Sequence, residues 1–149
     1  MIAFFVAGIP APGGSKKYVG HFATKKSKGV KLPLLLDMGG RKTKDWRKVV
    51  AMEAAKVMAG KPLMTTSLSV KFFFIMPRPK SHPKGKTKPL HHVIRPDVLK
   101  LSRSTEDALT GIVWEDDSQI THEVLVKRYQ NPGEATGARI EVEEFFFIE

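Results

Sequence analysis

The chain has 149 residues, a mass of 16.6 kDa and 42% hydrophobic residues, which suits one domain with a single core. It has no cysteine, which excludes a disulfide scaffold, a zinc finger and a thiol nucleophile, and no run of about 18 apolar residues, so no transmembrane helix is expected. Lys and Arg number 25 against 15 Asp and Glu, a net charge of +10. The charge is segregated: residues 1–103 hold 22 basic residues and four acids, whereas residues 104–149 hold three basic residues and 11 acids. Such an excess of positive charge points to a polyanionic partner, most often nucleic acid. The expected location is the cytoplasm.

The opening apolar stretch lacks a basic lead and breaks at Pro10, so residues 2–9 read as a buried strand rather than a signal peptide. A basic, glycine-containing loop follows over about 13–42, carrying Lys16, Lys17, Lys25, Lys26, Lys28 and Lys31. Within it, LPLLLDM (32–38) is an apolar island with short-strand character. Thr43 or Asp45 is placed to cap a helix reaching about Ala59. Trp46, Val49, Val50, Ala54, Val57 and Met58 recur at helical spacing and form its core face. Gly60 and Pro62 stop it.

Residues 66–76 read as a strand, and its Phe72–Phe74 triplet as core rather than a base-stacking platform. Residues 77–96 form a proline-rich basic loop with Arg78, Lys80, Lys84, Lys86 and Lys88. His91 and His92 are adjacent, so in extended chain they point to opposite sides, and no other ligand stands at zinc-binding spacing. Asp97 is placed as N-cap of a helix over about 98–110 that ends at Gly111. IVW (112–114) reads as a short strand, 115–118 as a turn, 119–129 as a strand, Asn131-Pro132-Gly133 as a turn and 138–148 as the last strand.

Two features carry chemistry. Asp97, Lys100, Arg103 and Asp107 fall on one helix face, and Asp116-Asp117 follows a short apolar strand. Carboxylates at such positions are hard oxygen ligands suited to Mg²⁺ or Mn²⁺ and substrate phosphate oxygens. A nearby Arg or Lys neutralises charge on a phosphoryl group. Each feature also has a plain reading, a helix cap for Asp97 and a turn for Asp116-Asp117. Together, in a strongly basic protein, they read as a metal-dependent nuclease.

The segment RPDVLKLSRSTEDALTGIVWEDDSQI (95–120) resembles the signature of the RusA family of Holliday junction resolvases, through its ordered P-D, DALTG and DDSQI blocks. The resemblance implies an α+β fold, one small domain over 1–149 with a mixed β-sheet of about four to five strands and two main helices. It implies a homodimer that cuts branched DNA, above all four-way junctions, with Mg²⁺ or Mn²⁺, and no membrane partner. Carried over by motif, Asp97 and Asp117 are metal ligands and catalytic acids. Asp107 is a further ligand or an ion-pair partner, Asp116 a helper or turn former, and Arg103 the cation that stabilises the phosphoryl charge. Lys100 matches a phosphate-contacting position, and Gln119 a structural one. The basic loops are expected to grip phosphates without reading bases. The chain departs from the pattern at Leu99, where the family has a second acid. That leaves three expectations: cutting with a weakened site of Asp97, Asp107, Asp116 and Asp117, replacement of the missing acid by Glu106 from about two turns further along the same side of the helix, or junction binding without cutting. The apolar end FFFI (145–148) is a candidate dimer surface.

Overall fold

The computed structural model describes residues 1–14, 16–22, 32–37, 40–82 and 90–148. In chain order the elements are β1 (Ile2–Ala7), β2 (Lys16–Phe22), β3 (Leu32–Asp37), α1 (Gly40–Met58), β4 (Leu68–Met76), α2 (Val98–Leu109), β5 (Ile120–Tyr129) and β6 (Gly137–Glu144). A 3₁₀ turn, Asp117–Gln119, leads into β5.

Four strands make one mixed sheet in the order β1-β6-β4-β5. β4 runs parallel to β5 and antiparallel to β6, and β6 pairs antiparallel with β1. A parallel pair needs a crossover, and α2 lies within the connection from β4 to β5. β4 is central because its sequence can be buried: Leu68, Val70, Phe72, Phe74 and Met76 alternate on one fully buried face. The phenylalanine triplet is therefore core, with Phe72 and Phe74 buried and their rings 5.9 Å apart.

β1 approaches β6 so closely that a Cβ on Gly137 would stand 2.0 Å from the Val6 carbonyl oxygen, and Gly137 has φ +153°. Only glycine fits there.

α1 buries Trp46, Val50, Ala54 and Met58, one residue per turn at four-residue spacing. α2 buries Leu101, Thr105, Ala108 and Leu109. The two helices meet through Trp46, whose Nε1 donates to Thr105 Oγ1 at 3.1 Å. Thr105 in turn donates to the Leu101 carbonyl at 2.8 Å. The core thus joins β1, α1, the central strands, α2 and the buried pair Val113 and Trp114.

Several expected boundaries change. The basic stretch before α1 contains an antiparallel ribbon, with β2 paired to β3. Among the described residues these strands pair with each other and with no strand of the main sheet, so no main-sheet face imposed an alternation to read. α1 begins at Gly40 rather than Thr43 or Asp45. Thr43 lies buried inside it and donates its hydroxyl to the Pro12 carbonyl at 2.6 Å. IVW (112–114) is a turn instead of a strand, with only isolated bridges from Trp114 to Met64 and Thr110. Its apolarity reflects burial of Val113 and Trp114, not pairing. β6 stops at Glu144 opposite Leu68, so Phe145 onward leaves the sheet, and Phe145 stacks on His122 at 4.8 Å. Phe146, Phe147 and Ile148 are exposed.

Candidate active site

Asp97 takes the extended N-cap conformation of α2, yet its side chain makes no capping hydrogen bond. The carboxylate is exposed, 3.8 Å from Lys100 Nζ. The loop before it is fixed from β5: Lys127 Nζ donates to the Ile94 carbonyl at 2.7 Å and the Pro96 carbonyl at 2.8 Å. Burial pushes the Lys127 ammonium below its usual range, and the Asp97 charge opposes that shift. Sequence reasoning missed Lys127, although a lysine two residues beyond Leu125 interrupts the half-buried face of β5 and was a readable signal. Lys127→Met is expected to lower stability by about 1–3 kcal/mol, because two backbone acceptors lose a charged donor. Urea denaturation measures this, and an unchanged midpoint would remove the clamp.

A cleft of about 1020 Å³ opens beside Asp97 and Lys100. Arg103, one turn further along α2, is exposed, and its aliphatic stem passes over Gly14. A Cβ at Gly14 would come within 2.6 Å of Arg103 Cδ, and Gly14 has φ +77°. The loop bearing Gly14 is tied to α2 by Gly13 N–H donating to the Lys100 carbonyl at 2.9 Å and by the Ser104 hydroxyl donating to the Ala11 carbonyl. Asp107 is held on the outer side of α2 by Arg47 Nη2 at 3.1 Å.

A different constellation stands past the far end of α2. Asp117 Oδ1 accepts from Trp114 Nε1 at 3.0 Å and from the Thr110 hydroxyl. Asp116 accepts from Ser118 N–H at 2.8 Å, and this bond holds its carboxyl below the ordinary range. Gln119 Oε1 accepts from Asp116 N–H at 2.8 Å, while Gln119 Nε2 donates to the Met64 carbonyl at 2.9 Å. Asp116 and Gln119 thus form a reciprocal cap on the turn into β5.

Beside them Glu106 of α2 faces Glu123 of β5, a pairing that sequence reasoning did not foresee. The Ser102 hydroxyl sits 3.1 Å from Glu106 Oε1 and 2.6 Å from Glu123 Oε1. Burial, then the Glu123 carboxyl, then the Asp117 charge push Glu106 up to about 8. Below its ordinary value of 4.5 the carboxyl is protonated in both the folded and the unfolded chain. Between there and about 8 only the folded chain keeps the proton, so stability falls as pH rises through that window. Glu106→Gln is expected to remove this fall and to raise stability at pH 8.5 by about 1 kcal/mol after solvent screening. That is roughly 2–4 °C in Tm. Thermal melts at pH 4 and pH 8.5 check it, and an equal effect at both pH values counts against it.

α2 therefore separates two groups that the signature places near each other in sequence. Its 12 residues span about 18 Å, with Asp97 before the first and Asp117 bonded to the residue after the last. Asp107 faces Arg47, and Leu99, at 69% exposure, offers no oxygen. Among the described residues, no three His, Cys, Asp or Glu side chains gather as a group that could hold a metal. The residues implied as ligands thus do not fit one metal within the described part of one chain. Of the phosphate-gripping candidates, Lys16 and Lys17 open β2, and Lys100 lines the cleft. Arg78 and Lys80 follow β4, with Arg78 over the Tyr129 ring at 5.5 Å. Lys25, Lys26, Lys28, Lys84, Lys86 and Lys88 lie outside the described residues. His91 is exposed, and His92 is buried 4.8 Å from the Tyr129 ring.

An α+β domain with a net charge of +10 and an exposed carboxylate beside a mostly apolar cleft edged by Lys42, Arg95 and Lys100 has a charge balance that suits a polyanion. The family model of the endodeoxyribonuclease RusA matches residues 36–143, and the chain belongs to that family. The family's nucleases are Holliday junction resolvases that depend on a divalent metal. No curated protein sequence matches the chain. No described helix is long and apolar enough to cross a membrane.

Proposed function

We propose that this protein is a structure-specific endodeoxyribonuclease that hydrolyses phosphodiester bonds in Holliday junctions or other branched DNA during recombination and repair. The observation that carries the reading is the family match over 36–143, joined to an exposed Asp97 carboxylate that makes no capping bond at the start of α2 and pairs with Lys100 at 3.8 Å. Asp97 is the principal acid. Asp117, Asp107 and Asp116 are the further acids of the proposal, standing apart from Asp97 rather than around one metal with it, and Arg103 neutralises charge on the phosphoryl oxygens. Mg²⁺ or Mn²⁺ is the proposed cofactor. Lys100, the lysines of β2 and the basic loop after β4 grip phosphates. The proposed form is a cytoplasmic homodimer, because a two-fold pair of sites matches the near two-fold symmetry of a four-way junction.

A second reading has support of its own. Leu99 in place of the family acid, and the separation of Asp97 from Asp117 by α2, favour a protein that binds junctions without cutting. The test is a labelled four-way junction incubated without metal, with Mg²⁺ and with Mn²⁺. Paired symmetric nicks that require metal support the nuclease. A junction shifted but uncut in every metal overturns it in favour of binding alone, and Leu99→Asp then asks whether one carboxylate restores cutting. Under either reading junction affinity is expected to fall steeply with salt, by about 10³-fold or more from 50 to 200 mM if six or more phosphates are contacted. A flat salt profile in a mobility-shift titration removes the phosphate grip.

A further inference from the structure

We propose that the cleft beside Asp97 receives an unpaired nucleobase from the branch point, with the flanking phosphates held on its rim by Lys42, Arg95 and Lys100. The inference rests on the branched-DNA reading and names what selects the branch. The cleft lies between the chain leaving β1, the first half of α1, the end of β4 and the segment entering α2. Its volume of about 1020 Å³ lies at the upper end of the usual range for small-ligand pockets.

Its chemistry is divided in the way a nucleotide is divided. The walls are apolar, including Ile9, Pro10, Trp46, Met76, Ile94 and Pro96. Ile9 and Ile94 are 61% and 54% exposed, and large apolar groups left open around one concavity mark a binding surface. Three cations stand on the rim against two acids, Asp45 and Asp97. Phosphates therefore belong at the mouth and an uncharged ring inside. His92 also lines the cleft; it is buried, and its Nδ1 has no hydrogen-bond partner. Burial and the neighbouring Lys127 push its pKa down, which favours the uncharged ring and keeps this part of the wall free of charge.

The cleft explains selection by shape. A base inside a duplex must unpair and unstack before it can enter, at a cost of a few kcal/mol, whereas continuous stacking is interrupted at a branch point and part of that cost is removed. Asp97 lies on the same rim, so the strand that yields the base runs past the acid.

The test uses the whole protein and a series of four-way junctions, each with one abasic nucleotide at a successive position around the branch. Binding is measured by fluorescence anisotropy in EDTA, and nicking afterwards in Mg²⁺. One position on each of two symmetric strands is expected to weaken binding about tenfold, within the range for loss of one stacked base. Other positions change it less than about twofold. A 2-aminopurine at the sensitive position is expected to change its emission on binding, and Ile94→Glu to abolish the difference between abasic and intact junctions. A flat abasic profile on a junction that is still bound and cut overturns the base cleft and leaves the nuclease standing. A junction neither bound nor cut overturns both. A flat profile, with Ile94→Glu changing the oligomeric mass instead, assigns the cleft to a second copy of the chain and also overturns the proposal.

Discussion

Asp97→Asn is expected to lower junction cleavage by at least about a hundredfold while leaving junction binding within about twofold. The size follows from removing a preorganised group that acts on charge at the reacting centre, which costs about 10²–10³ in rate. The substitution is clean for a structural reason. Asn and Asp serve equally well at an N-cap, and the Asp97 side chain makes no capping bond to lose. The carboxylate is exposed and 3.8 Å from Lys100, so an uncharged amide leaves no buried orphan. Single-turnover cleavage alongside anisotropy measures the two quantities separately. Unchanged cleavage removes Asp97 from the reaction, and a parallel loss of binding makes its role one of substrate grip.

The matching change at the other acid, Asp117→Asn, is a poorer probe. Asp117 Oδ1 anchors both Trp114 and Thr110, so an amide there disturbs the turn as well as the charge. A loss of cutting in that variant is informative only if its melting temperature is unchanged.

Trp46→Ala is expected to destabilise the fold by about 3–5 kcal/mol, the range for deleting a buried large aromatic side chain. That is a large share of a domain's total of about 5–15 kcal/mol. Trp46 is fully buried where α1 meets α2, and its indole N–H satisfies Thr105 Oγ1 at 3.1 Å. Alanine leaves both a cavity and an unpaired acceptor. Trp46→Phe keeps most of the volume and loses the hydrogen bond, so its cost is expected to be about 1–3 kcal/mol. Urea denaturation of the three proteins separates packing from hydrogen bonding. An alanine variant within about 1 kcal/mol of wild type would show that the two helices are not held together through this ring.

The local elements were legible because burial writes a period into the chain. Trp46, Val50, Ala54 and Met58 mark α1, and Leu101, Thr105, Ala108 and Leu109 mark α2. The even positions of β4 mark a central strand. Turn chemistry was legible too, since Gly60, Gly111 and Gly133 all take positive φ where helices or strands end. The apolar island at 32–38 was legible as the strand β3, but its partner β2 was read as loop, because among the described residues this ribbon joins no strand of the main sheet. Residues 112–114 are apolar because Val113 and Trp114 plug the core rather than because they pair.

The sequence by itself determined the family, through an ordered signature in 95–120 that needs no coordinates, and it determined the basic character that suits a polyanion. It also placed Asp97 at a helix start and Asp116 in the turn before β5, because caps and turns depend on near neighbours, whereas Gln119, read as the start of the strand, closes that turn. Only the tertiary structure decided which acids meet. Sequence spacing cannot say that Asp117 folds back onto the residue after α2 rather than toward its start, and α2 holds Asp97 and Asp117 at opposite ends. Nor can it express sheet order, which brings Glu123 to Glu106 and Lys127 to the carbonyls before Asp97. The cleft is of the same kind. Its walls come from four separate stretches of chain, brought together only when β1, α1, β4 and α2 pack around one core.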